Sequence, residues 1–226
     1  MVAAARNQGG RRRLAVRVGM VLVLTGLLVA LFATTFAVTD NGTPKSTTTT
    51  LAELTGAALE LAELMESRQG EEYHARYEGE SVDGASVVIE TWQDGEGGVR
   101  QDQILTAGEQ GAHLVSIDGK DGAVRCTRLE EEWSCRRAAP AELAASDPLA
   151  AIRARLAEGK VTARNEQVDG EPARCFELGA DVGSELCVQP ATGIPMRISA
   201  GETELRLVVL EATVDPAAFE PPGPVT

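Results

Sequence analysis

An uncharged run of 21 residues, Val18 to Val38, most constrains what this 226-residue chain can fold into. A helix of that length, at about 1.5 Å per residue, crosses a hydrocarbon core of roughly 30 Å. The four arginines at positions 11–13 and 17 precede the run, and the positive-inside rule then places the N-terminus in the cytoplasm. The sequence therefore predicts a single-pass protein of the inner (cytoplasmic) membrane with an extracytoplasmic C-terminal domain.

A cleaved signal peptide is the alternative for the same segment, because Thr35-Phe36-Ala37 is a tolerable small-x-small cleavage site. The apolar part of such peptides spans only about 7 to 15 residues, which is shorter than this run. We therefore favour an uncleaved anchor.

Charge and composition divide the chain into four parts. Residues 1–17 are a basic cytoplasmic stub, 18–38 the transmembrane helix, 39–50 a Thr-rich linker and 51–226 the extracytoplasmic domain. The first 38 residues hold five arginines and no acid, whereas the whole chain has 34 acidic and 21 basic residues. The strongly acidic outer domain disfavours nucleic acid as a partner.

The sequence of the outer part predicts an α+β fold. Apolar residues recur every three or four positions from Leu51 to Arg68, which predicts an amphipathic helix. Asp147-Pro148 begins a second predicted helix that ends at Gly159. Between and after the helices, β-branched and aromatic segments alternate with Gly/Asp turns. These segments predict strands at 73–79, 85–93, 99–106, 112–118, 122–129, 160–168, 173–178, 185–189, 195–199 and 204–214, with a return strand around Trp133.

Four cysteines, Cys126, Cys135, Cys175 and Cys187, lie in the predicted outer domain. An even number in an oxidising compartment implies disulfide bonds, and three connectivities are possible. Cys126 and Cys135 are placed symmetrically about a turn at Glu130-Glu131, and Cys175 and Cys187 about Asp181. The hairpin geometry therefore predicts the pairs 126–135 and 175–187, and neither is a CxxC redox or zinc motif.

Catalytic chemistry has little support in the sequence. His74 and His113 are the only histidines, and His113 alternates with Val115 and Ile117, as a buried or rim histidine on a strand does. There is no nucleophile elbow, zinc-binding HExxH pair, P-loop or dinucleotide fingerprint. We predict a protein that is not an enzyme, with no catalytic residue, metal site or cofactor.

The end of the chain resembles a known superfamily. Gly193-Ile194-Pro195, the strand that follows and the closing Phe219-Glu220-Pro221-Pro222-Gly223 are similar to the "G-L-P, strand, F-x-P-P-x-G" pattern of LolA-like and LppX-like lipoprotein carriers. The resemblance covers about the last third of the chain. It implies an incomplete barrel, a curved antiparallel sheet with helices packed on its concave face, and an apolar cavity between them.

The resemblance also implies a function. We expect a non-enzymatic, membrane-anchored domain that binds a lipid or lipoprotein acyl chain. The alternative is a sensory or regulatory ectodomain that binds another envelope protein, as in envelope-stress regulators. Whether the space under the sheet is hollow or filled by the second helix stays open. The residues predicted to line a cavity are Val87, Ile89, Trp92, Leu105, Leu114, Leu149, Ile152 and Leu156.

Overall fold

The computed structural model describes residues 54, 56–68, 70–81, 83–108, 110–129, 131–139, 142–143, 156, 160–179, 184–200 and 203–226. These residues all belong to one compact unit, 44–226. The predicted linker, 39–50, lies outside them.

One helix with described bounds and eleven strands make up most of the regular structure that these residues form, and residues 142–143 and 156 are also helical. The helix α1 spans Gly56–Ser67, and a 3-10 turn, η1, spans Pro216–Phe219. The strands are β1 Tyr73–Glu80, β2 Ser86–Gln93, β3 Val99–Ala107, β4 Gln110–Gly119, β5 Gly122–Leu129, β6 Glu132–Arg137, β7 Val161–Val168, β8 Glu171–Leu178, β9 Ser184–Val188, β10 Pro195–Ala200 and β11 Thr203–Glu211.

All eleven strands form a single antiparallel sheet in the order β6-β5-β4-β3-β2-β1-β11-β10-β9-β8-β7. Two meanders, β1 to β6 and β7 to β11, therefore lie side by side, and β1 pairs with β11 at their junction. The sheet is open, with β6 and β7 at its edges. Every other strand pairing joins neighbours in the sequence.

The hairpins form where the sequence supplies residues that tolerate a positive φ. Between β7 and β8 the turn consists of Asp169 and Gly170, with φ of 54° and 88°. Two residues with positive φ make the tight turn whose twist matches that of the flanking strands, and Asp-Gly is a preferred pair for it. Val168 then pairs with Glu171, which sets the register of this hairpin.

The core lies on the face of the sheet that carries α1, which we call the helical face. Strand register aligns a continuous apolar row on this face, consisting of Leu105, Val87, Leu205, Ile198, Leu186 and Phe176. The helix turns Ala58, Leu61, Ala62 and Met65 inward. The side chain of Arg174 on β8 donates hydrogen bonds of 2.7 and 2.8 Å to Glu60, which fixes the helix to the sheet.

The opposite, outer face has two smaller apolar clusters. Val115, Ile117, Val124 and the cysteines 126 and 135 form one, against which Trp133 and Phe219 pack. The C-terminal segment 212–226 runs back over this cluster. Arg100 donates to the Ala218 carbonyl at 2.6 Å, and the Thr226 amide donates to the Cys135 carbonyl at 3.1 Å. The end of the chain thereby pairs with part of the edge strand β6.

Each meander contains one disulfide bond. Cys126 on β5 faces Cys135 on β6 and is bonded to it, and Cys175 on β8 is bonded to Cys187 on β9. The pairs are those that the hairpin geometry predicts, because each cysteine lies directly opposite its partner across an antiparallel pair. All four cysteines are buried within the clusters of the outer face.

The predicted fold class needs correction. We expected several helices on a concave face, preceded by a transmembrane helix, but the described residues form mostly a large open sheet, and α1 is the one helix among them with described bounds. The physical reason is that the Gly/Asp turns return the chain repeatedly into further strands, so the sheet makes up most of the fold. The second predicted helix, 147–159, lies outside the described residues except for Leu156.

The predicted membrane location is also wrong for the part of the chain that the structure describes. None of its helices is both long enough and apolar enough to cross a membrane. The helix α1 has 12 residues, or about 18 Å, which is shorter than a hydrocarbon core, and it includes three glutamates. The segment Val18 to Val38 lies outside the described residues. The single-pass inner-membrane location, with a cytoplasmic N-terminus, is therefore not upheld.

Candidate functional site

The helical face of β1 to β4 changes character along the strands. Because strand side chains alternate between faces, every second residue of each strand belongs to this face. At one end lie Val87, Leu105 and Ala112, which pair across β2, β3 and β4. Val87 and Leu105 are buried. This end of the face is entirely apolar.

The next positions along the same strands are mixed. Tyr77, Ile89, Gln103 and Leu114 form the second row, and Gln103 is buried although it is an amide. The third row contains Ala75, Thr91, Gln101 and Ser116, and the Ser116 side chain is buried as well. Buried polar groups need hydrogen-bond partners, and the Gln103 amide donates to Gln101 at 3.0 Å.

The far end of the face is polar and lies beside the end of α1. Tyr73 on β1 pairs with Gln93 on β2, and both side chains are buried. The Gln93 amide donates a 3.0 Å hydrogen bond to the carbonyl of Arg68, the residue that follows α1. This bond places the end of the helix directly above the polar row. The rows from Val87 to Gln93 span about 20 Å of strand.

Arg68 is the unusual residue of this polar end. It is only 6% exposed, and its carbonyl accepts the hydrogen bond from Gln93. A cation at the C-terminal end of a helix is favoured by at most about 2 kcal/mol, because it interacts with the partial negative charge of the helix end.

The phenol of Tyr77, which the charge of Arg68 influences, supplies no negative charge. Burial raises the pKa of Tyr77 above its ordinary value, Tyr73 adds to the rise, and the Arg68 charge only partly opposes it. The Tyr77 phenol therefore stays neutral at physiological pH and is a hydrogen-bond donor. The polar row thus contains the neutral side chains of Tyr73 and Gln93, and it continues through Val99 to the carboxylate of Asp118 on β4.

The structure locates six of the eight predicted cavity residues. Val87, Ile89, Leu105 and Leu114 lie together on the helical face, with Leu114 only partly buried. Leu156 is buried, whereas Leu149 and Ile152 lie outside the described residues. Trp92 lies on the outer face, because it alternates with Ile89 and Thr91 along β2. The register therefore brings four of the predicted residues together and separates Trp92 from them. Whether they line a cavity stays a prediction.

A buried ion-pair network occupies the outer face at β3 and β4. Arg100 donates to both carboxylate oxygens of Asp102, at 2.6 and 2.8 Å, and His113 Nε2 lies 2.8 Å from the same carboxylate. Burial raises the pKa of Asp102, but the hydrogen bonds from Arg100 and His113 outweigh this effect, so its pKa lies below its ordinary value. Since Arg100 also holds Ala218, the network fixes the C-terminal segment.

Aromatic rings extend this network in both directions on the outer face. His74 stacks on Trp92 with ring centroids 4.7 Å apart, and the Arg100 guanidinium lies 5.0 Å from the centre of the same indole. His113 meets Trp133 edge-on at 4.8 Å. Both histidines pack against aromatic rings and lie beside carboxylates, and no nucleophilic side chain is positioned by either contact. His113 lies on a strand as the sequence predicts, but its buried Nδ1 has no hydrogen-bond partner, so the histidine is only partly satisfied.

One cluster on the outer face has the composition of a metal site. Glu166, Glu185, Cys175 and Cys187 present atoms within 4.8 Å of one another. The two cysteines are joined in a disulfide, so they offer no thiolate, and Arg197 donates to both Glu166 at 3.1 Å and Glu185 at 2.6 Å. The carboxylates are thus neutralised by an arginine. The cluster is an ion-pair network over a disulfide and does not suit a cation.

Sequence reasoning missed the polar end of the helical face. Strand alternation could have indicated that Tyr73, Tyr77 and Gln93 share a face with Ile89, because they are spaced by two within their strands. Nothing local shows that Arg68 is buried, since an arginine after an amphipathic helix is usually solvated. Its burial depends on the contact between the end of α1 and β2.

These features define a protein built on one large open antiparallel sheet with a helix across one face. By sequence, the chain matches no protein family and none of the curated proteins. Fifteen solved chains are similar in structure, among them the following three. The crystal structure of MucB has a TM-score of 0.45 and 17% identity, and the match covers 73% of this chain and 62% of MucB. This chain therefore spans less than two thirds of MucB.

The crystal structure of an uncharacterized conserved protein from Thermus thermophilus has a TM-score of 0.48 and 10% identity, over 76% of this chain and 99% of that one. MucB in complex with MucA(peri) gives a TM-score of 0.41 and 18% identity, over 69% of this chain and 55% of that chain. At these scores the similarities carry no functional argument for this protein.

Proposed function

We propose that this protein is a non-enzymatic binding protein that holds an apolar chain, such as a lipid or lipoprotein acyl chain, on the helical face of β1 to β4. The observation that carries the proposal is the gradient on this face, from the apolar row of Val87 and Leu105 to the polar row of Tyr73 and Gln93. Ligand sites for such molecules are mostly apolar with a few placed polar groups. We take residues 51–226 as the binding domain, in keeping with its resemblance to LolA-like carriers.

The composition of this face differs from that of an aliphatic core. Cores select aliphatic residues, and amide and hydroxyl side chains are mostly exposed. On this face Gln93, Gln103 and Ser116 are all buried within three adjacent strands. Such a set of polar side chains beside apolar rows suits a ligand that has an apolar part and a polar part.

The test uses the full-length chain and the neutral fluorescent probe N-phenyl-1-naphthylamine, whose emission rises in apolar sites. We expect saturable binding to the wild type and displacement by ligands with a 12-carbon chain. Leu114→Arg puts a charge on a partly buried position of the helical face and is expected to weaken binding at least about tenfold, since an unpaired charge is costly in an apolar site.

Ile104→Arg is the matched control, because Ile104 is also partly buried and lies on the outer face of β3. It is expected to bind the probe as the wild type does, and circular dichroism establishes that both variants are folded. Equal loss of binding in the two folded variants, or no saturable binding by the wild type, contradicts the proposal.

A second candidate function is binding of a protein partner. Val208 is 51% exposed and Leu210 is 44% exposed on β11. These residues lie beyond Arg206, at which the pairing with β10 stops, so their part of β11 pairs with β1 only within the described residues. An exposed apolar strand with an unpaired edge suits the addition of a partner strand.

Photo-crosslinking distinguishes this candidate. A photoreactive residue at Val208 is expected to capture one protein partner in cells, whereas the same residue at the exposed Thr162 of β7 is the control position. Capture at neither position, or equally at both, argues against a partner site on β11.

A further inference from the structure

We propose that β11 binds a second copy of this chain, by pairing its residues 206–211 with the same residues of that copy in an antiparallel ladder. This inference rests on the second candidate function, because it names the partner that the exposed segment of β11 binds. The segment contains Val208 and Leu210, two of the four large apolar side chains that are exposed among the described residues. A strand that covers this segment has to match its side chains as well as its backbone.

One edge of this segment is free of strand pairing within the described residues. β1 pairs with the segment from His74 to Glu78, whereas the pairing with β10 ends at Arg206. The chain approaches β10 from the helical face, since Gly193 lies against the carbonyl of Leu64 on α1. An edge of unpaired amide and carbonyl groups is a template for another strand. The backbone beyond Arg206 can therefore pair with a strand of a second molecule.

A β-bulge in this segment determines which of its side chains share a face. Tyr77 pairs with Leu207 and Arg76 with Val209, so Val208 is an extra residue on β11. Residues that lie opposite each other in a ladder share a face, and the residues after the bulge therefore change sides relative to a regular strand. The helical face carries Leu207 and Leu210, and the outer face carries Arg206, Val209 and Glu211.

The segment is complementary to itself across a two-fold axis. When this axis passes through Val209 perpendicular to the sheet, Leu207 of each copy faces Leu210 of the other, and Arg206 faces Glu211. Such an axis pairs only residues that share a face. The bulge places Arg206 and Glu211 on the same face, because in a regular strand an even and an odd position lie on opposite faces. The ladder therefore has an apolar centre and an ion pair at each end.

The two charged side chains are accessible to a second molecule. The Arg206 side chain is 48% exposed and contacts Asp169 at 2.9 Å, and the Glu211 side chain is 61% exposed and contacts His74 at 3.0 Å. Ion pairs of exposed side chains contribute little, so these contacts do not prevent pairing with the second copy. Because the ladder is short, it buries less area than a stable dimer does, and we expect the association to be weak and dependent on concentration.

The experiment uses the full-length chain with Val209→Cys, because the Val209 residues of the two copies meet at the axis. Opposite residues of an antiparallel pair have Cα atoms about 4.5 to 5.5 Å apart, which a disulfide bond can span. We expect mild oxidation to give a disulfide-linked dimer on a non-reducing gel. Thr162→Cys, at an exposed position of β7, is the control and is expected to stay monomeric.

Charge reversal tests the register of the ladder. Arg206→Glu or Glu211→Arg, each combined with Val209→Cys, brings like charges together at both ends and is expected to lower the yield of dimer at least about fivefold. A mixture of these two variants again has opposite charges at both ends, and so has a chain that carries both reversals. We expect the dimer to return in both cases, which a folding defect in the single variants would not allow.

Absence of the dimer with Val209→Cys, or an equal yield with Thr162→Cys, overturns the inference. An unchanged yield in both charge reversals, or failure of the mixture to restore the dimer, also overturns it. The second candidate function is tested separately by the photoreactive residue at Val208. Capture there of a protein other than this chain overturns the inference and leaves that function intact, whereas no capture at Val208 contradicts that function itself.

Discussion

Asp102 accepts hydrogen bonds from Arg100 and lies within hydrogen-bond distance of His113 while its side chain is only 5% exposed. Asp102→Asn removes the charge and leaves Arg100 uncompensated in a mostly buried position. We expect a loss of about 2 to 4 kcal/mol in the free energy of unfolding, measured by denaturant titration. Asp118→Asn, at an exposed position on β4, is the control and is expected to change stability by less than about 0.5 kcal/mol. Equal effects of the two substitutions would contradict this account.

The same carboxyl predicts a pH dependence. The pKa of Asp102 in the folded protein lies below its ordinary value of 3.8, so the unfolded state binds more protons as the pH falls. The stabilisation is present in full above the unfolded pKa and is lost as the pH decreases from about 4 through the folded pKa. We expect the stability difference between wild type and Asp102→Asn to shrink below about pH 4. A difference that stays constant as the pH is lowered from neutrality through this range would exclude this contribution.

Individual residues differ in how well the sequence predicts their environment. The face of His113 follows from alternation with Val115 and Ile117, and the structure agrees. The same alternation places Arg100 and Asp102 on one face of β3, but it does not show that His113 reaches Asp102 from the next strand. To predict a contact between two strands, one must know which residues lie opposite each other. The alternation pattern within one strand does not give this register.

At the level of the hairpins, the two disulfides join cysteines that are 9 and 12 residues apart in the sequence. In the chain-entropy model, loops of this size contribute about 2 to 3 kcal/mol each. We expect Cys126→Ala/Cys135→Ala and Cys175→Ala/Cys187→Ala each to lower the free energy of unfolding by about that amount, measured by denaturant titration. A reducing agent is expected to destabilise the wild type and to leave a variant without both bonds unchanged. Equal stability of wild type and the double-alanine variants would contradict the prediction.

The turn before β10 brings the chain close to α1. Gly193 has a φ of 67°, and a Cβ at this position would collide with the carbonyl oxygen of Leu64. We expect Gly193→Ala to lower the free energy of unfolding by about 2 to 4 kcal/mol through strain and overpacking. Gly119→Ala is the control, since its Cβ meets no atom within 4 Å. Thermal unfolding of both variants checks this prediction. A Gly193→Ala variant as stable as the wild type would mean that α1 shifts to make room for the added methyl group.

The strands could be predicted closely from the sequence for a physical reason. The observed bounds of most strands lie within a residue or two of the predicted ones, although β11 ends at Glu211 rather than Val214. Alternation and Asp-Gly turns are local signals, and so is the symmetric placement of Cys175 and Cys187. The pairing of β1 with β11 depends on residues far apart in the sequence, and no local pattern predicts it.

For the whole molecule, a ligand that binds only the folded state raises its stability. At a free concentration of about 100 times Kd, a 12-carbon ligand that displaces the fluorescent probe is expected to raise the free energy of unfolding by about 2.7 kcal/mol. The measurement is the shift of the thermal midpoint with ligand concentration. Leu114→Arg, which lowers affinity, is expected to show a much smaller shift at the same concentration. Destabilisation of the wild type by the ligand would indicate binding to the unfolded chain.

The order of the strands also determines how the chain can reach this fold. Each meander can grow hairpin by hairpin, because its strands pair with neighbours in the sequence. Joining the two meanders requires closure of a long loop between Glu80 and Glu204, whose entropy must be lost before the contacts form. We therefore expect the β1–β11 pairing, which joins seven residue pairs, to form after the hairpins of the two meanders. A ligand seated on β1 would bind the strand that joins the two halves of the sheet, so it would favour the state in which both meanders are already assembled.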